Sequence, residues 1–401
     1  MELLAPAGYL EKAKIALLYG ADAVYVGGKS FSLRARASNF TIEDLEELAN
    51  FAHNLNKKVY VTMNIVPHDE DLNGLKEYLE DMNRIGIDAI ITTSRFIMKE
   101  AKKYAPNVEV HISTQNSITN LKQIEYYKKL GATRTVLARE VNLDELRYLA
   151  KNSPLELEVF IHGGMCASYS GRCVLSNYMT NRDANRGGCA HSCRWNYTLK
   201  KNNELTSCDG FFSMGSKDLQ ALRFIPELID LNVASFKIEG RMKSTYYLAT
   251  VVKCYREIID LYQKKKHLTE EDFKYFEKEI RKAENRLTSV GFYKGLPTIE
   301  EQLYDNRSEH PTKEYVGVVL EYDEETKTAL IEQRNYFETK DTLEFFGPSL
   351  NNTLMICPVF YDYNSKEELT VARHPLQKLI MKVDFPVKKD DMIRLVKKDE
   401  N

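Results

Sequence analysis

From Gly20 to Gly27 the chain reads Gly-Ala-Asp-Ala-Val-Tyr-Val-Gly, and the fold can be inferred outward from these residues. The first glycine follows an amphipathic segment and can adopt the positive φ that a helix C-cap often needs. The apolar, β-branched residues after it are typical of a short buried strand. The same order returns at residues 86–89 and 131–133. The N-terminal part of the chain therefore repeats one unit, a strand followed by a helix.

Eight short apolar runs alternate with amphipathic segments that have the 3.6-residue spacing of outer helices. In the segment 41–54, for example, Thr41 is the predicted N-cap and Asp44 stands three residues on. Strict alternation predicts an α/β fold, a closed (β/α)8 TIM-like barrel, with a doubly wound open sheet as the alternative. The predicted strands are residues 2–5, 23–27, 58–63, 88–92, 108–112, 133–138, 156–161 and 234–238.

One connection is much longer than the others. Between the seventh and eighth predicted strands the chain runs for about seventy residues, whereas connections in such folds are usually far shorter. The predicted domains are a barrel over 1–262 with a cysteine-rich insertion at 163–218, a helical linker region over 263–312, and a small C-terminal β-barrel over 313–401. A charged stretch at 270–287 predicts a helix in the linker, and the domain boundary is predicted at 305–312. From residue 314 the pattern changes to short alternating strands.

Seven cysteines occur in the chain, and four of them lie close together: Cys166, Cys173, Cys189 and Cys193. In a reducing compartment such a cluster is typical of metal binding or catalysis rather than of disulfides. Structural zinc sites usually use two close Cys-x2-Cys pairs, which this spacing lacks, so we favour a [4Fe-4S] cluster. The alternatives are a loop cross-linked by a zinc ion and a loop that binds no metal.

The cysteine segment is basic although the whole chain is not. The chain carries 56 basic and 58 acidic residues, which excludes the global basic field that drives non-specific nucleic-acid binding. Residues 166–201 contain a single acid, Asp183, and the basic residues Arg172, Arg182, Arg186, Arg194, Lys200 and Lys201. This local charge suits an anionic cluster, an anionic substrate or RNA.

Aromatic residues interleave with these arginines and could stack an extruded base: Tyr169, Tyr178, Trp195 and Tyr197. Burial over a cluster is the alternative role for Trp195. No apolar run approaches the roughly 18 residues that span a bilayer. The N-terminus also lacks the basic-then-apolar layout of a signal peptide. We therefore expect a cytoplasmic protein that does not contact a membrane.

The segment that ends β-strand seven resembles the signature of the collagenase-like peptidase family U32, Glu-x-Phe-x2-Gly-small-aliphatic-Cys-x4-Gly-x-Cys-x-aliphatic-Ser. Gly164 stands where the pattern prefers Ser or Ala. Similar stretches at 4–8, 20–28 and 236–243 extend the resemblance over the barrel, and 331–337 extends it to the C-terminal domain. The matching signature residues are Glu158, Phe160, Gly163, Met165, Cys166, Gly171, Cys173, Leu175 and Ser176.

This resemblance implies an activity and its cofactors. Family members with this architecture are tRNA-modifying enzymes that hydroxylate the wobble uridine of the anticodon loop to 5-hydroxyuridine. The reaction does not depend on molecular oxygen. The resemblance also implies a [4Fe-4S] cluster on the four cysteines and prephenate as co-substrate. Hydroxylation of ribosomal RNA or of a quinone precursor by the same chemistry is one alternative, and a non-catalytic metal-bearing scaffold is another.

The residues give little support to the peptidase activity in the family name. The chain contains neither a Gly-x-Ser-x-Gly nor a His-Glu-x-x-His motif. His162 and His191 lie near Cys166 and Cys193 in the sequence, but four thiolates bound to a metal leave no free nucleophile. We therefore rank a peptidase or secreted collagenase below a hydroxylase.

Chemistry in a (β/α)8 barrel gathers at the C-terminal ends of the strands. Guanidinium groups bind carboxylates through paired hydrogen bonds, so arginines at these ends are candidates to hold the two carboxylates of prephenate, with structural ion pairs as the alternative. Acids there could neutralise the arginines, and a histidine could transfer protons or support the site by hydrogen bonding. The predicted residues are Arg34, Arg36, Arg139, Glu140, His162, Glu239 and Arg241.

Overall fold

The computed structural model describes residues 1–33, 39–206, 212–283, 286–303 and 314–396. Within these residues eight parallel strands form a barrel: β1 (Glu2–Pro6), β2 (Ala23–Gly27), β3 (Lys58–Met63), β4 (Ala89–Thr92), β5 (Glu109–Ile112), β6 (Arg134–Val136), β7 (Glu156–Gly163) and β8 (Ser235–Ile238). Strand β8 closes the sheet because Ser235 pairs in parallel with Glu2 on one side and with Glu158 on the other. The predicted closed barrel is confirmed, and the open sheet is excluded.

Helices connect the strands. They are α1 (Leu10–Leu18), α2 (Ile42–Asn54), α3 (Leu75–Arg84), α4 (Arg95–Tyr104), α5 (Leu121–Lys129), α6 (Leu143–Asn152), α7 (Leu175–Thr180), α8 (Ile225–Asp230), α9 (Thr245–Lys265) and α10 (Glu270–Arg281). Thr41 and Asp44 form the predicted capping box at the start of α2. Gly20, Gly86 and Gly131 have φ of 115°, 75° and 91°, as their positions between helix and strand predict. In the described part of the chain, no helix is long and apolar enough to span a bilayer.

Alternate residues of the barrel strands face opposite sides, which is the period of two that a strand imposes. Leu3 and Val24 face outward and belong to the large hydrophobic core between the sheet and the helices. Tyr25 and Tyr60 face inward and belong to a smaller apolar cluster inside the barrel. Side chains therefore fill the interior of the barrel, and residues that could bind or react with a substrate are sought at the strand ends.

The long connection between β7 and β8 folds into short elements. It contains α7, the 3-10 turns Ala184–Arg186 and Ser192–Arg194, and a hairpin of Lys200–Lys201 with Glu204–Leu205. The strand Asp218–Gln220 then pairs antiparallel with the end of β7. This pairing brings the end of the insertion back to the barrel before α8 begins.

The region after α9 is less helical than the sequence predicts. The stretch predicted to be helical over 270–287 forms a helix only over Glu270–Arg281. Thr288–Ser289 instead pairs in parallel with Asp218–Gln220, and Ile299–Glu301 is a single 3-10 turn. Pairing with the insertion replaces helix formation here, so the linker predicted at 263–312 is helical only in its first part among the described residues. The boundary predicted at 305–312 lies outside the described residues.

Antiparallel strands form the C-terminal domain, as the alternating pattern predicts. Its core is separate from that of the barrel and includes Val316, Phe345 and Phe360. A two-stranded sheet pairs Phe337–Glu338 with Val371–Ala372. The main sheet contains Glu314–Asp323, Thr328–Gln333, Thr342–Phe346, Thr353–Ile356, Phe360–Asp362, Glu368–Leu369, Lys378–Lys382 and Met392–Leu395.

Buried charges join this domain to the end of α10. Lys282 donates to Glu344 of the C-terminal sheet at 3.1 Å, and Arg394 of the same sheet donates to Glu279 at 3.0 Å. All four residues are buried. Two acids and two bases neutralise one another, which is what charges removed from water require.

Candidate functional site at the barrel mouth

The four clustered cysteines are free thiols in the insertion after β7. Cys166 and Cys189 are exposed, whereas Cys173 and Cys193 are partly buried. Burial raises the pKa of the Cys193 thiol, Arg194 opposes this, and the thiolate charges of the other three cysteines raise the pKa further. The three thiols therefore lie close enough to Cys193 for their charges to act on it.

Four thiols are the donor set that both a structural zinc ion and a [4Fe-4S] cluster use. Four thiolates around one zinc ion stand about 3.8 Å apart, because each Zn–S bond is about 2.3 Å long and the geometry is tetrahedral. In the described part of the chain, no three His, Cys, Asp or Glu side chains are arranged so that they could hold one metal ion. A [4Fe-4S] cluster is a larger body that needs one cysteine at each of its four irons, so its ligands stand further apart.

Loops that follow three of the barrel strands hold the cysteine segment in place. Ser117, after β5, donates its hydroxyl to the carbonyl of Ser170 at 2.7 Å. Arg139, after β6, donates to the Ser170 hydroxyl at 3.0 Å. Arg186 forms an ion pair with Asp71, after β3, at 2.9 Å. Because these loops lie at the C-terminal ends of the strands, the cysteines lie at the barrel mouth, as predicted for a barrel insertion.

Gly171, between Cys166 and Cys173, is required by a close contact as well as by its backbone conformation. Its φ is +76°, and a Cβ added there would lie 2.3 Å from the carbonyl oxygen of Gln115. Gly74 has nearly the same φ, +77°, but an added Cβ would meet nothing within 4 Å. Alanine at Gly74 therefore tests the cost of the positive φ alone, whereas alanine at Gly171 tests the cost of the positive φ together with the contact to Gln115.

We expect Gly171→Ala to displace the cysteine segment, whereas Gly74→Ala costs only the backbone strain of about 1 kcal/mol. The Gln115 carbonyl belongs to the backbone and cannot move aside cheaply. Thermal unfolding of the two variants would be compared, and Gly171→Ala should lower the midpoint temperature much more than Gly74→Ala. Equal shifts of the midpoint in the two variants would contradict this account of Gly171.

Arg34 and Arg36 lie outside the described residues. Arg139 does reach the mouth, where its guanidinium stacks on the ring of Phe160 at 3.9 Å and donates to Ser170. Glu140 next to it is partly buried, one of its carboxylate oxygens has no hydrogen-bond partner, and burial raises its pKa. A backbone hydrogen bond and the charge of Arg139 partly offset that shift, and the neutralising role of Glu140 stays a prediction.

His162, near the end of β7, is enclosed by protein. It is buried, its Nδ1 lies 3.3 Å from the hydroxyl of Tyr255, and burial lowers its pKa to about 3. A histidine with this pKa stays neutral near pH 7 and is a poor base. This environment favours the supporting role over proton transfer.

Arg241 and Glu239, after β8, contact strand β2, which lies on the far side of β1 in the sheet, and the loop after β2. The buried guanidinium of Arg241 donates to the hydroxyl of Ser32 at 2.9 Å and to the side chain of Asn39. The carboxylate of Glu239 accepts a hydrogen bond from Tyr25 at 3.1 Å. These contacts link the ends of β8 and β2, so Arg241 has a structural role whether or not it also binds substrate.

One set of ion pairs at the barrel mouth could not be predicted from the sequence. Asp218 is buried and forms ion pairs with Lys243 and Arg286, each at 3.5 Å. Lys243 follows β8 and Asp218 ends the insertion, but Arg286 lies in a stretch whose pattern predicts a helix. Nothing in the sequence indicates that residues 218 and 286 meet, because the pairing of Thr288–Ser289 with Asp218–Gln220 has no sequence signal.

Comparison with known proteins gives a consistent result over the whole chain. The sequence model of peptidase family U32 matches residues 8–303, and the model of the C-terminal domain of that family matches residues 311–394. The tRNA hydroxylation protein P1 of Bacillus subtilis is 44% identical over 402 residues, which cover 98% of this chain and 94% of that protein.

Two other relatives carry different names. The 23S rRNA 5-hydroxycytidine C2501 synthase of Escherichia coli is 38% identical over 260 residues, which cover 65% of this chain and 39% of that protein. A protein of Porphyromonas gingivalis named collagenase is 31% identical over 420 residues, which cover 100% of this chain and 99% of that protein.

Proposed function

This chain belongs to peptidase family U32, and we propose that it is an RNA-modifying hydroxylase that converts the wobble uridine of tRNA to 5-hydroxyuridine. The observation that carries the proposal is the convergence of four cysteines at the barrel mouth of a chain that is 44% identical, along 98% of its length, to a protein named for tRNA hydroxylation. Prephenate is the proposed co-substrate, and a [4Fe-4S] cluster is the proposed cofactor. A tRNA substrate also implies a cytoplasmic location.

Each part of the mouth has a task in this proposal. Cys166, Cys173, Cys189 and Cys193 would hold the cluster, which supplies electron-transfer or Lewis-acid chemistry when it is bound. Basic side chains at the strand ends bind the carboxylates of the co-substrate and orient it. The loops after β3, β5 and β6 fix the cysteine segment over the mouth, and this keeps the cluster ligands and the co-substrate in register.

The outer surface of the cysteine segment suits a single-stranded RNA loop. Tyr178 is 86% exposed, Tyr169 is 50% exposed and Trp195 is 38% exposed, and Arg172 is exposed among them. Bases splayed from an RNA loop stack on aromatic rings, while arginines contact the phosphates. An anticodon loop presents unpaired bases of this kind, so it is the proposed partner of this surface.

The proposal predicts that a strain without this protein contains much less 5-hydroxyuridine in its tRNA. Mass spectrometry of nucleosides from digested tRNA would measure it, with an unrelated modified nucleoside as the internal control. Reintroduction of the wild-type gene should restore the signal. Unchanged 5-hydroxyuridine, in a strain with no duplicate of the gene, would rule out the assignment.

Ribosomal RNA is a second candidate substrate because a relative of the barrel region is named for 5-hydroxycytidine synthesis in 23S rRNA. The same deletion strain separates the two, since loss of 5-hydroxycytidine with normal 5-hydroxyuridine would favour ribosomal RNA. Peptidase activity is a third candidate function because one relative is named collagenase. Cleavage of collagen by purified protein, lost in an active-site variant, would favour that activity.

A further inference from the structure

A β-hairpin projects from the cysteine segment a few residues after Cys193. Its two strands are Lys200–Lys201 and Glu204–Leu205, and every residue from 198 to 206 is exposed. A strand rises about 3.3 Å per residue, so the tip of this hairpin lies roughly 15 Å from Tyr197, which stands at its base. We call residues 198–206 the exposed hairpin.

The exposed hairpin has a defined shape although solvent surrounds it along its whole length. Asn202 and Asn203 form its two-residue turn with φ of 52° and 65°. Two positive φ values in such a turn are typical of type I′, whose twist matches that of the flanking strands. At the other end, the backbone N–H of Thr206 donates to the carbonyl of Leu199 at 3.0 Å. The side chains of the hairpin are therefore held in an ordered arrangement.

Contacts at the base of the exposed hairpin fix it relative to the cysteines. The backbones of Tyr197 and Phe212 exchange two hydrogen bonds of 2.7 Å, and their ring centroids are 5.9 Å apart. The Tyr197 hydroxyl donates to the carbonyl of Ser192 at 2.6 Å, and Ser192 directly precedes Cys193. The hairpin is therefore attached to the same segment whose outer surface is proposed to bind RNA.

The exposed hairpin carries more positive than negative charge. Residues 184–203 contain no acid, and Glu204 is the single acid of the hairpin itself. In the hairpin Lys201 stands across from Glu204, whereas Lys200 stands across from Leu205, so no acid faces Lys200 from the opposite strand. Positive charge on an exposed protrusion favours a polyanionic partner.

Two leucines add apolar surface to the same hairpin. Leu199 and Leu205 are 54% and 59% exposed. RNA combines phosphates with the apolar faces of its bases, so it can use the lysines and the leucines together. The hairpin is also continuous in sequence with Trp195, which belongs to the aromatic surface proposed to stack RNA bases. RNA is therefore the partner that the charge and the location favour.

We propose that the exposed hairpin is a second RNA-binding element, in which Lys200 and Lys201 contact phosphates of the substrate RNA beside the loop whose bases stack on the aromatic surface. That RNA is the substrate rests on the proposed function; the place of the contact and its chemistry come from the hairpin. Contacts to phosphates position an RNA and add affinity, but they do not read its sequence.

Fluorescence anisotropy with a labelled, unmodified anticodon stem–loop RNA and the full-length protein tests the proposal without turnover. The double variant Lys200→Ala, Lys201→Ala should bind about tenfold more weakly than the wild type at about 0.1 M salt. Its slope of log affinity against log salt should also become shallower by about 1.5, because each phosphate contact contributes about 0.7–0.9 to that slope.

Lys128→Ala, Lys129→Ala is the matched control. These two lysines are also exposed neighbours, but they lie in the last turn of α5, at the end of the barrel opposite the mouth. This variant should keep the affinity and the salt slope of the wild type. Because all four side chains are exposed, thermal unfolding should stay close to that of the wild type in both double variants.

Three results would overturn the hairpin as an RNA-binding element. The first is an unchanged affinity and slope in Lys200→Ala, Lys201→Ala, and the second is an equal change in the control variant, which would indicate only a general charge effect. The third is unchanged RNA binding by the hairpin variant together with loss of 5-hydroxyuridine when that variant is introduced into the deletion strain, which would indicate a protein partner. The proposed function fails separately, since normal 5-hydroxyuridine in the deletion strain would reject the tRNA assignment and leave a measured change of slope in place.

Discussion

Glu158→Gln is expected to destabilise the barrel strongly, by roughly 3–5 kcal/mol, because it leaves buried cations without their counter-charge. Glu158 is fully buried inside the barrel, 2.7 Å from Lys237 Nζ and 3.4 Å from Arg134 Nη1. Burial alone would raise the pKa of this carboxyl, but Lys237 and Arg134 hold it below its ordinary value. A loss of that size is a large part of the 5–15 kcal/mol that typically holds a folded protein together.

Neutralising Glu158 does not affect its two cationic partners equally. Arg134 also pairs with Glu2 at 2.6 Å and with Glu156 at 2.8 Å, so it keeps two partners when Glu158 is neutralised. Lys237 forms its ion pair with Glu158, and its ammonium group also lies over the aromatic rings of Tyr25 and Phe160. The destabilisation should therefore come mainly from Lys237, and a second change, Lys237→Met, should recover much of it.

Glu156→Gln is the matched control because Glu156 pairs with the same arginine from a position that is 55% exposed. Because water solvates the Glu156 carboxylate and Arg134 keeps Glu2 and Glu158, loss of this pair should cost only about 1 kcal/mol. Urea unfolding followed by far-ultraviolet circular dichroism would measure the three variants. Equal midpoint shifts for Glu156→Gln and Glu158→Gln would show that the buried ion group is not what stabilises the interior.

The barrel could be predicted because its signals are local. Glycine C-caps, the Thr41 capping box and the apolar runs each act within a few residues, and the observed strands start and end within about two residues of the predicted ones, as such boundaries allow. The four cysteines could be predicted for the same reason, since their spacing is short. Where they lie on the barrel followed from the rule that insertions after strands face the mouth.

Buried charges could not be predicted, because their pattern matches that of surface charges. Glu344 and Arg394 stand in alternating strands where a charged residue normally faces water, yet they pair with each other and with α10 inside the molecule. Arg286 meets Asp218 only because the chain turns back after α10 to pair with the insertion. Such groups depend on contacts between distant parts of the chain, and a single sequence carries no signal for them.

Cys173→Ala is expected to abolish both the cluster and the tRNA product. Anaerobically purified wild-type protein should contain iron and acid-labile sulfide and absorb near 400 nm, on the order expected for thiolate-to-iron bands. Removing one thiolate leaves one iron of the cluster without a protein ligand. The variant should therefore lose most of its iron, and when it is introduced into the deletion strain, 5-hydroxyuridine should stay absent from tRNA digests.

Cys254→Ser is the matched control for that loss. Cys254 is buried in α9, and its Sγ donates to the carbonyl of Phe276 at 3.4 Å, a bond that a serine hydroxyl can replace. This variant should keep both iron and 5-hydroxyuridine, which shows that the effect belongs to the barrel mouth and not to cysteine content. A colourless wild type with one zinc per chain would contradict the cluster. Full recovery of 5-hydroxyuridine by Cys173→Ala would contradict its role in the reaction, because four equivalent corners of one cluster leave no ligand to spare.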